Sequence, residues 1–340
     1  MGEFPVLNIS ALTTAAASTG GASSEKKPLA RRVDEVCRET GFLAIVGHGI
    51  SEATLSGAWN AARAFFDLPM DKKLAVKMPY TGYPYGYSPL QAEALAKSLG
   101  QETPPDLKES FSIGPLVHRP HTGNEPEAQF RFAENIWPKE PANFRLAWSE
   151  YYRAMSELAA RIMRIFALAL DLREDFFEGV IDDPMSAMRA LNYPHPSAAP
   201  KPGQLRGGAH SDYGSLTILL AEAAPGGLEI QSPDGKWLPV PLVPGAFVVN
   251  IGDLMARWTN DRWVSTLHRV VNPPPDAKGS TRRQSIAFFH QPNWEAEIRC
   301  IPTCLATGEQ AKYPPVGSGA HLMEKFHRTV KLGSAAVTNT

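Results

Sequence analysis

Cysteine is scarce: Cys37, Cys300 and Cys304 are the only three in 340 residues. Three thiols make no disulfide framework. Cys300 and Cys304 are separated by Pro302 and have no second pair nearby, so they do not read as a metal clip. Reduced thiols in a cytoplasmic protein are the expectation. An excess of charge is also missing. Lys+Arg 34 against Asp+Glu 35 leaves a net charge of −1, which gives no electrostatic ground for a nucleic-acid or membrane partner. No apolar run reaches the ~18 residues that a bilayer span needs. Met1-Gly2-Glu3-Phe4-Pro5 has neither the basic start nor the apolar stretch of a signal peptide, and it is a poor acylation signal. Internal repeats are absent. What remains is an ordinary composition, 43% hydrophobic and 20% charged, with enough apolar residues for a sizeable core.

The hydrophobic period divides the chain. The first half reads as mostly helical, over 4–180, with short strands. Phe4–Ile9 and Phe42–Val46 have strand character, and 13–24 is a small-residue loop. Helices are expected over 25–40, over 52–66 with Ser51 as N-cap, and over 142–172. A tyrosine-rich, turn-rich stretch at 79–89 reads either as a cover over a site or as surface packing. Residues 108–113 read as a strand and 115–141 as irregular. From Met185 the period becomes two. Apolar runs at 187–193, 215–220, 227–231, 237–240, 246–251, 264–271, 283–289 and 296–301 are separated by Gly- and Pro-bearing turns. Strands of this length and punctuation predict a jelly-roll or open barrel over 185–301. A closing helix is expected within 315–332. The fold class is therefore mainly β with flanking α, a double-stranded β-helix core with helices packed outside, in a single domain.

Two histidines and one carboxylate form the ligand set that holds non-haem Fe(II) on one face. His210-Ser211-Asp212 and the distant His268 offer that set. On a strand, His210 and Asp212 would point to the same side. The same donors also suit Mn(II), Co(II) or a hydrolytic Zn(II). Arg283 and Ser285 share parity on an apolar run and present a guanidinium fork and a hydroxyl to one face, a receptor for a carboxylate. A hydrolase has no evident need for that second receptor. On the strand before, Arg189, Leu191 and Tyr193 share parity. Arg189 either faces an acidic or polar substrate or is a solvent-facing or structural ion-pair arginine. Phe289 either lines the pocket or fills the barrel. Asp253 reads as an Asx-type residue in an inter-strand turn. His48, His195 and His290 lack a carboxylate at the right offset.

Beyond these pairs the chain resembles the isopenicillin-N-synthase-like Fe(II)/2-oxoglutarate-dependent oxygenases. The resemblance runs through Gly47-His48-Gly49-Ile50, Lys108-Glu109-Ser110-Phe111, Asn192-Tyr193-Pro194, His210-Ser211-Asp212-Tyr213-Gly214-Ser215-Leu216-Thr217, Val249-Asn250-Ile251-Gly252-Asp253, Ser265-Thr266-Leu267-His268-Arg269-Val270 and Arg283-Gln284-Ser285. It covers roughly residues 4–330. The interval from His268 to Arg283 is longer than usual for the family and reads as an extended turn. The resemblance implies Fe(II) at His210, Asp212 and His268. It also implies 2-oxoglutarate held by Arg283, Ser285 and Tyr193, with O2 as oxidant and succinate and CO2 as co-products. Hydroxylation of a small molecule is the default outcome. Halogenation is disfavoured because Asp212 keeps its carboxylate. Two other readings stay open here: an Fe(II) oxidase of the same fold that does not use 2-oxoglutarate, and a metal-binding barrel without turnover. Arg189 and Phe289 are the candidate substrate contacts.

Overall fold

The computed structural model describes residues 4–12, 23–117, 125–196 and 198–329. The strands are β1 (Val6–Asn8), β2 (Phe42–Val46), β3 (Gly86–Ser88), β4 (Glu109–Ile113), β5 (Ala187–Tyr193), β6 (Gly207–His210), β7 (Leu216–Ala221), β8 (Leu228–Gln231), β9 (Trp237–Pro239), β10 (Phe247–Ile251), β11 (His268–Val270), β12 (Arg283–His290), β13 (Glu297–Ile298) and β14 (Val316–Gly317). The helices are α1 (Ser23–Glu39), α2 (Glu52–Phe66), α3 (Met70–Leu74), α4 (Pro126–Arg131), α5 (Phe144–Ala169), α6 (Asp253–Trp258) and α7 (Ser318–Thr329).

Two sheets form the double-stranded β-helix. The large one has eight strands in the order β1-β2-β10-β7-β12-β5-β4-β3, and the small one has four, β6-β11-β8-β9. Strands from the first half of the chain thus extend the same sheet that carries β5, β7, β10 and β12. Alternation does the sorting. On β12, Arg283, Ser285, Ala287 and Phe289 line the space between the sheets. Their neighbours Ile286 and Phe288 join the main core on the other face, as a pleat of period two demands. β5 pairs antiparallel with β12, with Tyr193 opposite Arg283 and Arg189 opposite Ala287.

The main core lies between the outer face of the large sheet and helices α1, α2 and α5. Helix α5 presents Trp148, Tyr151, Met155, Leu158, Ile162 and Phe166 at helical spacing, all buried. Each such side chain contributes roughly 1.5–3 kcal/mol of apolar transfer free energy. Phe65, Phe111, Phe144 and Trp148 interlock as one aromatic cluster. Ser51 caps α2 by accepting from the Thr54 amide at 3.1 Å.

Several boundaries differ from the sequence reading. β6 escaped the alternation pattern because Gly207, Gly208 and Ala209 supply almost no side chain to alternate. The run at 264–271 is strand only over His268–Val270. The irregular stretch 115–141 contains α4. Asp253 begins α6 instead of sitting in an inter-strand turn. The loop expected at 13–24 lies outside the described residues apart from 23 and 24, which begin α1; 330–332 of the closing helix also lie outside them. Among the described residues no helix is long and apolar enough to cross a membrane.

His290, at even parity on β12, points into the core and meets the Ser215 hydroxyl at 2.6 Å. Burial pushes its pKa down to about 4. The folded state therefore favours the neutral ring, while the unfolded ring binds a proton near pH 6.5. Stability is present above about pH 6.5 and declines as pH falls toward 4, by roughly 3 kcal/mol for this group. Denaturant midpoints of the metal-free protein between pH 7 and 5 should drop, and His290→Gln should flatten the slope. An unchanged slope in that variant would remove His290 from the account.

Candidate active site

The site lies between the two sheets. β6 and β11 are antiparallel neighbours, and His210 and His268 are direct cross-strand partners. Their ring centroids are 4.3 Å apart. Asp212 is not on the strand with His210, as parity had suggested. β6 ends at His210 and Asp212 lies in the turn beyond it. The chain there is fixed from outside: the Asp253 amide donates to the Asp212 carbonyl at 2.7 Å. Gly252 allows that approach, since a Cβ there would collide with the Gly214 carbonyl.

Asp212 Oδ1 stands 4.0 Å from His210 Nε2 and 3.8 Å from His268 Nε2. One ligand atom from each of the three residues lies within 4.8 Å of the others. The remaining polar atoms are already committed. His210 Nδ1 bonds to the Gly208 carbonyl at 2.8 Å and His268 Nδ1 to the Thr266 carbonyl at 3.1 Å. Both Nδ1 atoms must then carry the proton, which leaves each Nε2 with a lone pair for a cation. Asp212 Oδ2 accepts from Thr217 Oγ1 at 2.6 Å and from Asn250 Nδ2 at 2.7 Å. Burial and the adjacent His268 push His210 well below the ordinary histidine value. Burial alone would raise Asp212, but the two imidazoles and the Asn250 and Thr217 bonds hold it below the ordinary carboxylate value. Two imidazoles with their Nδ1 atoms engaged and one carboxylate fit a divalent cation, and two histidines with a carboxylate and open positions are a ligand set for Fe(II).

A cavity of about 90 Å³ runs from these ligands to Arg283, Ser285 and Tyr193. Arg283 is 2% exposed. Its Nη1 is buried and has no hydrogen-bond partner among the described residues, and its guanidinium lies 5.2 Å from the centre of the Tyr193 ring. An unspent buried fork beside a hydroxyl suits a carboxylate. A second cavity, of about 160 Å³, opens on the other side of the ligands. Tyr85, Phe130, Phe289 and Phe326 contribute rings to it, with Arg189, Ser112 and Gln291. Arg189 and Phe289 line both cavities. Both readings of Arg189 meet here, because it faces the cavities while bonding Ser112 Oγ at 2.8 Å and Glu93 at 3.3 Å. Within the 79–89 stretch, Pro84 and Tyr85 reach the second cavity.

The decoy histidines are engaged elsewhere: His48 with the Gly245 carbonyl, His195 with Thr281 and His290 with Ser215. Sequence reasoning missed several supporting residues. Thr217 and Asn250 fell inside quoted motifs, but nothing in one chain tells a carboxylate-orienting amide from a core one. Lys108 also fell inside a quoted motif without a role. It is buried beside His210 and bonds Glu93 at 3.0 Å and Asp106 at 3.3 Å. Arg189 and Lys108 outweigh the burial of Glu93 and hold it at about 2. Asp253 takes bonds from Ser211, Ser265 and Lys325 through its side chain. That ties α7, which brings Leu322 and Phe326 to the second cavity, to the turn bearing Asp212.

Removing the supports of Asp212 should loosen metal before it harms the fold. Asn250→Ala and Thr217→Val are each expected to weaken divalent-metal affinity roughly 10–100-fold. Titration of the apo-protein with Co(II), followed in the visible region, measures this. Affinity unchanged in both variants would leave the two bonds with no role at the centre.

Known proteins resemble this chain over most of its length. Residues 4–140 match the family described as non-haem dioxygenase in morphine synthesis N-terminal, and residues 185–292 match the 2OG-Fe(II) oxygenase superfamily. The chain is 36% identical over 302 residues to the 2-oxoglutarate-Fe(II) type oxidoreductase hxnY of Emericella nidulans, covering 88% of this chain and 83% of that one. It is 35% identical to the homoarginine-6-hydroxylase 2-ODD-233 of Oryza sativa subsp. japonica, covering 86% and 87%. The crystal structure of a full-length Neurospora crassa protein in complex with alpha-KG and thymine superposes with a TM-score of 0.80 at 29% identity, covering 95% and 96%. These relatives leave no ground for a barrel without turnover, nor for an oxidase that dispenses with 2-oxoglutarate. The chain belongs to the Fe(II)/2-oxoglutarate-dependent oxygenases, and is an enzyme that uses Fe(II), 2-oxoglutarate and O2 to oxidise a small molecule.

Proposed function

We propose that His210, Asp212 and His268 hold the iron, that Arg283, Ser285 and Tyr193 hold the far carboxylate of 2-oxoglutarate, and that the ring-lined cavity takes a compact substrate for hydroxylation. Iron with 2-oxoglutarate and O2 supplies the oxidising power to convert a substrate C–H to C–OH, with succinate and CO2 as co-products. The protein's own residues orient and exclude. Thr217 and Asn250 fix the carboxylate ligand, Arg283 and Ser285 set the depth of the cosubstrate, and Tyr85, Phe130, Phe289 and Phe326 keep water from the substrate side. The observation that carries this reading is the Arg283 guanidinium, whose buried Nη1 has no hydrogen bond among the described residues, in the cavity that also holds His210, Asp212 and His268.

The substrate class follows from what faces the second cavity. Aromatic walls favour a flat or ring-bearing molecule. Arg189 spends Nε on Ser112 and Nη1 on Glu93, and Nη2 makes no hydrogen bond among the described residues. It therefore offers a donor to a carbonyl or carboxylate of the substrate. A cationic group would fare worse, because Asp212 is a metal ligand and Glu93 is already paired. This favours a ring such as the thymine of the Neurospora structure over a linear cationic amino acid such as homoarginine. We further read residues 1–340 as one isopenicillin-N-synthase-like oxygenase domain, since strands from both halves share the large sheet. Three free thiols support a cytoplasmic setting, and a net charge of −1 leaves nucleic acid and membrane outside this reading.

Anaerobic Fe(II) protein should develop a weak visible charge-transfer band on adding 2-oxoglutarate. Arg283→Ala should raise the concentration needed, and Asp212→Ala should abolish the band. A normal titration in Arg283→Ala would sink the assigned carboxylate receptor. Succinate release across a substrate panel tests the second part. Ring-bearing carbonyl or carboxylate compounds should stimulate it, and Arg189→Met should raise KM for the best of them at least tenfold. Stimulation by homoarginine alone would overturn the substrate class.

A further inference from the structure

Arg206 immediately precedes β6 and is 1% exposed. It has no carboxylate partner among the described residues. Its Nη1 donates to the Pro225 carbonyl at 3.0 Å, and its Nη2 donates to the Thr281 carbonyl, two residues before Arg283. Its guanidinium lies 6.0 Å from the centre of the Tyr193 ring, the same ring that Arg283 approaches at 5.2 Å. Burial and the charge of Arg283 both hold the Arg206 guanidinium below its ordinary pKa. Two like charges therefore sit buried around one tyrosine. The carbonyls and a ring face offset only part of the cost of keeping charges from water. The deeply buried lysines nearby each have an acid: Lys108 has Glu93 and Asp106, and Lys73 has Glu109. The pair Arg206 and Arg283 is the exception: Arg283 lines the cavity shared with His210, Asp212 and His268, and Arg206 stands behind that lining beside the same Tyr193 ring.

We propose that Arg206 is a second cationic positioning residue for the far carboxylate of 2-oxoglutarate, acting behind Arg283. This rests on the reading of Arg283 given above. Arg206 does two things at once. Its fork holds together the chain after β7 and the chain before β12, which form the rim around Arg283. Its charge adds to the field that a carboxylate meets at the closed end. The anion is thus the missing counter-charge of the fold, and the protein should be markedly more stable when it is bound.

The test measures 2-oxoglutarate binding to the anaerobic Fe(II) protein in two ways, by the charge-transfer titration and by the ligand-induced rise in Tm. Arg206→Gln keeps hydrogen-bond donors and loses the charge. It should raise Kd for 2-oxoglutarate at least tenfold and shrink the Tm rise, while kcat at saturating 2-oxoglutarate and KM for the other substrate change less than threefold. Arg206→Lys keeps the charge and loses the two-carbonyl fork. It should lower the Tm of the ligand-free protein yet retain most of the affinity, and it carries the test alone if Arg206→Gln does not fold. A role confined to the fork predicts the opposite, with affinity lost in Lys. That result, or wild-type affinity in Arg206→Gln beside lost affinity in Arg283→Gln, overturns the proposal. Wild-type affinity in Arg283→Gln would overturn the underlying reading, and this proposal with it.

Discussion

Everything at the centre depends on how the Asp212 carboxylate is shared. One oxygen faces two imidazoles carried by the small sheet. The other is held by Thr217 on β7 and Asn250 on β10, both in the large sheet. The carboxylate therefore spans the gap between the sheets like a bolt. The separation of the sheets, their packing and the disposition of three ligand atoms are one geometric quantity. The helices on the outer face hold the large sheet rigid, so their apolar contacts are also part of the geometry of the ligands.

The sequence made the chemistry easier to read than the scaffolding. Parity located Arg283, Ser285, Tyr193, Arg189 and Phe289 on shared faces, because strands of alternating apolar residues carry a period that survives in one chain. The long periodic helices at α2 and α5 were legible for the same reason. β6 was not, since two glycines and an alanine leave no pattern, although it bears a histidine of the site. The placement of Asp212 in a turn, and of Asp253 at a helix start, depends on backbone contacts between Gly252 and the 211–214 turn that no local rule encodes. The charge cluster of Glu93, Asp106, Lys108 and Arg189 could not be assembled from sequence, because its members come from segments brought together only by the sheet.

That cluster also explains why the site can hold so much charge. Lys108 and Arg189 are matched by Glu93 and Asp106. Asp106 reaches further and accepts from the Leu95 and Gly208 amides. It thereby ties the short turn that brings Leu95 over the cavities to the strand bearing His210. Buried ion pairs of this kind add little net stability, but breaking one leaves a charge stranded. Their contribution here is to fix position: the turn bearing Leu95, the strand bearing His210 and the arginine that lines both cavities are held by one network.

Strand β12 has two faces with different obligations. Gln284 on the outer side donates its side-chain amide to the Trp59 carbonyl and its backbone N–H to Glu222, which in turn is gripped by Arg63 of α2, while Ile286 and Phe288 answer to the core. Ala287 and Phe289 face the cavities. Neighbouring positions thus carry separate physical constraints. Side chains at 287 and 289 can reshape the cavities without disturbing the packing at 286 and 288, which gives one backbone room to vary its interior while remaining recognisably the same barrel.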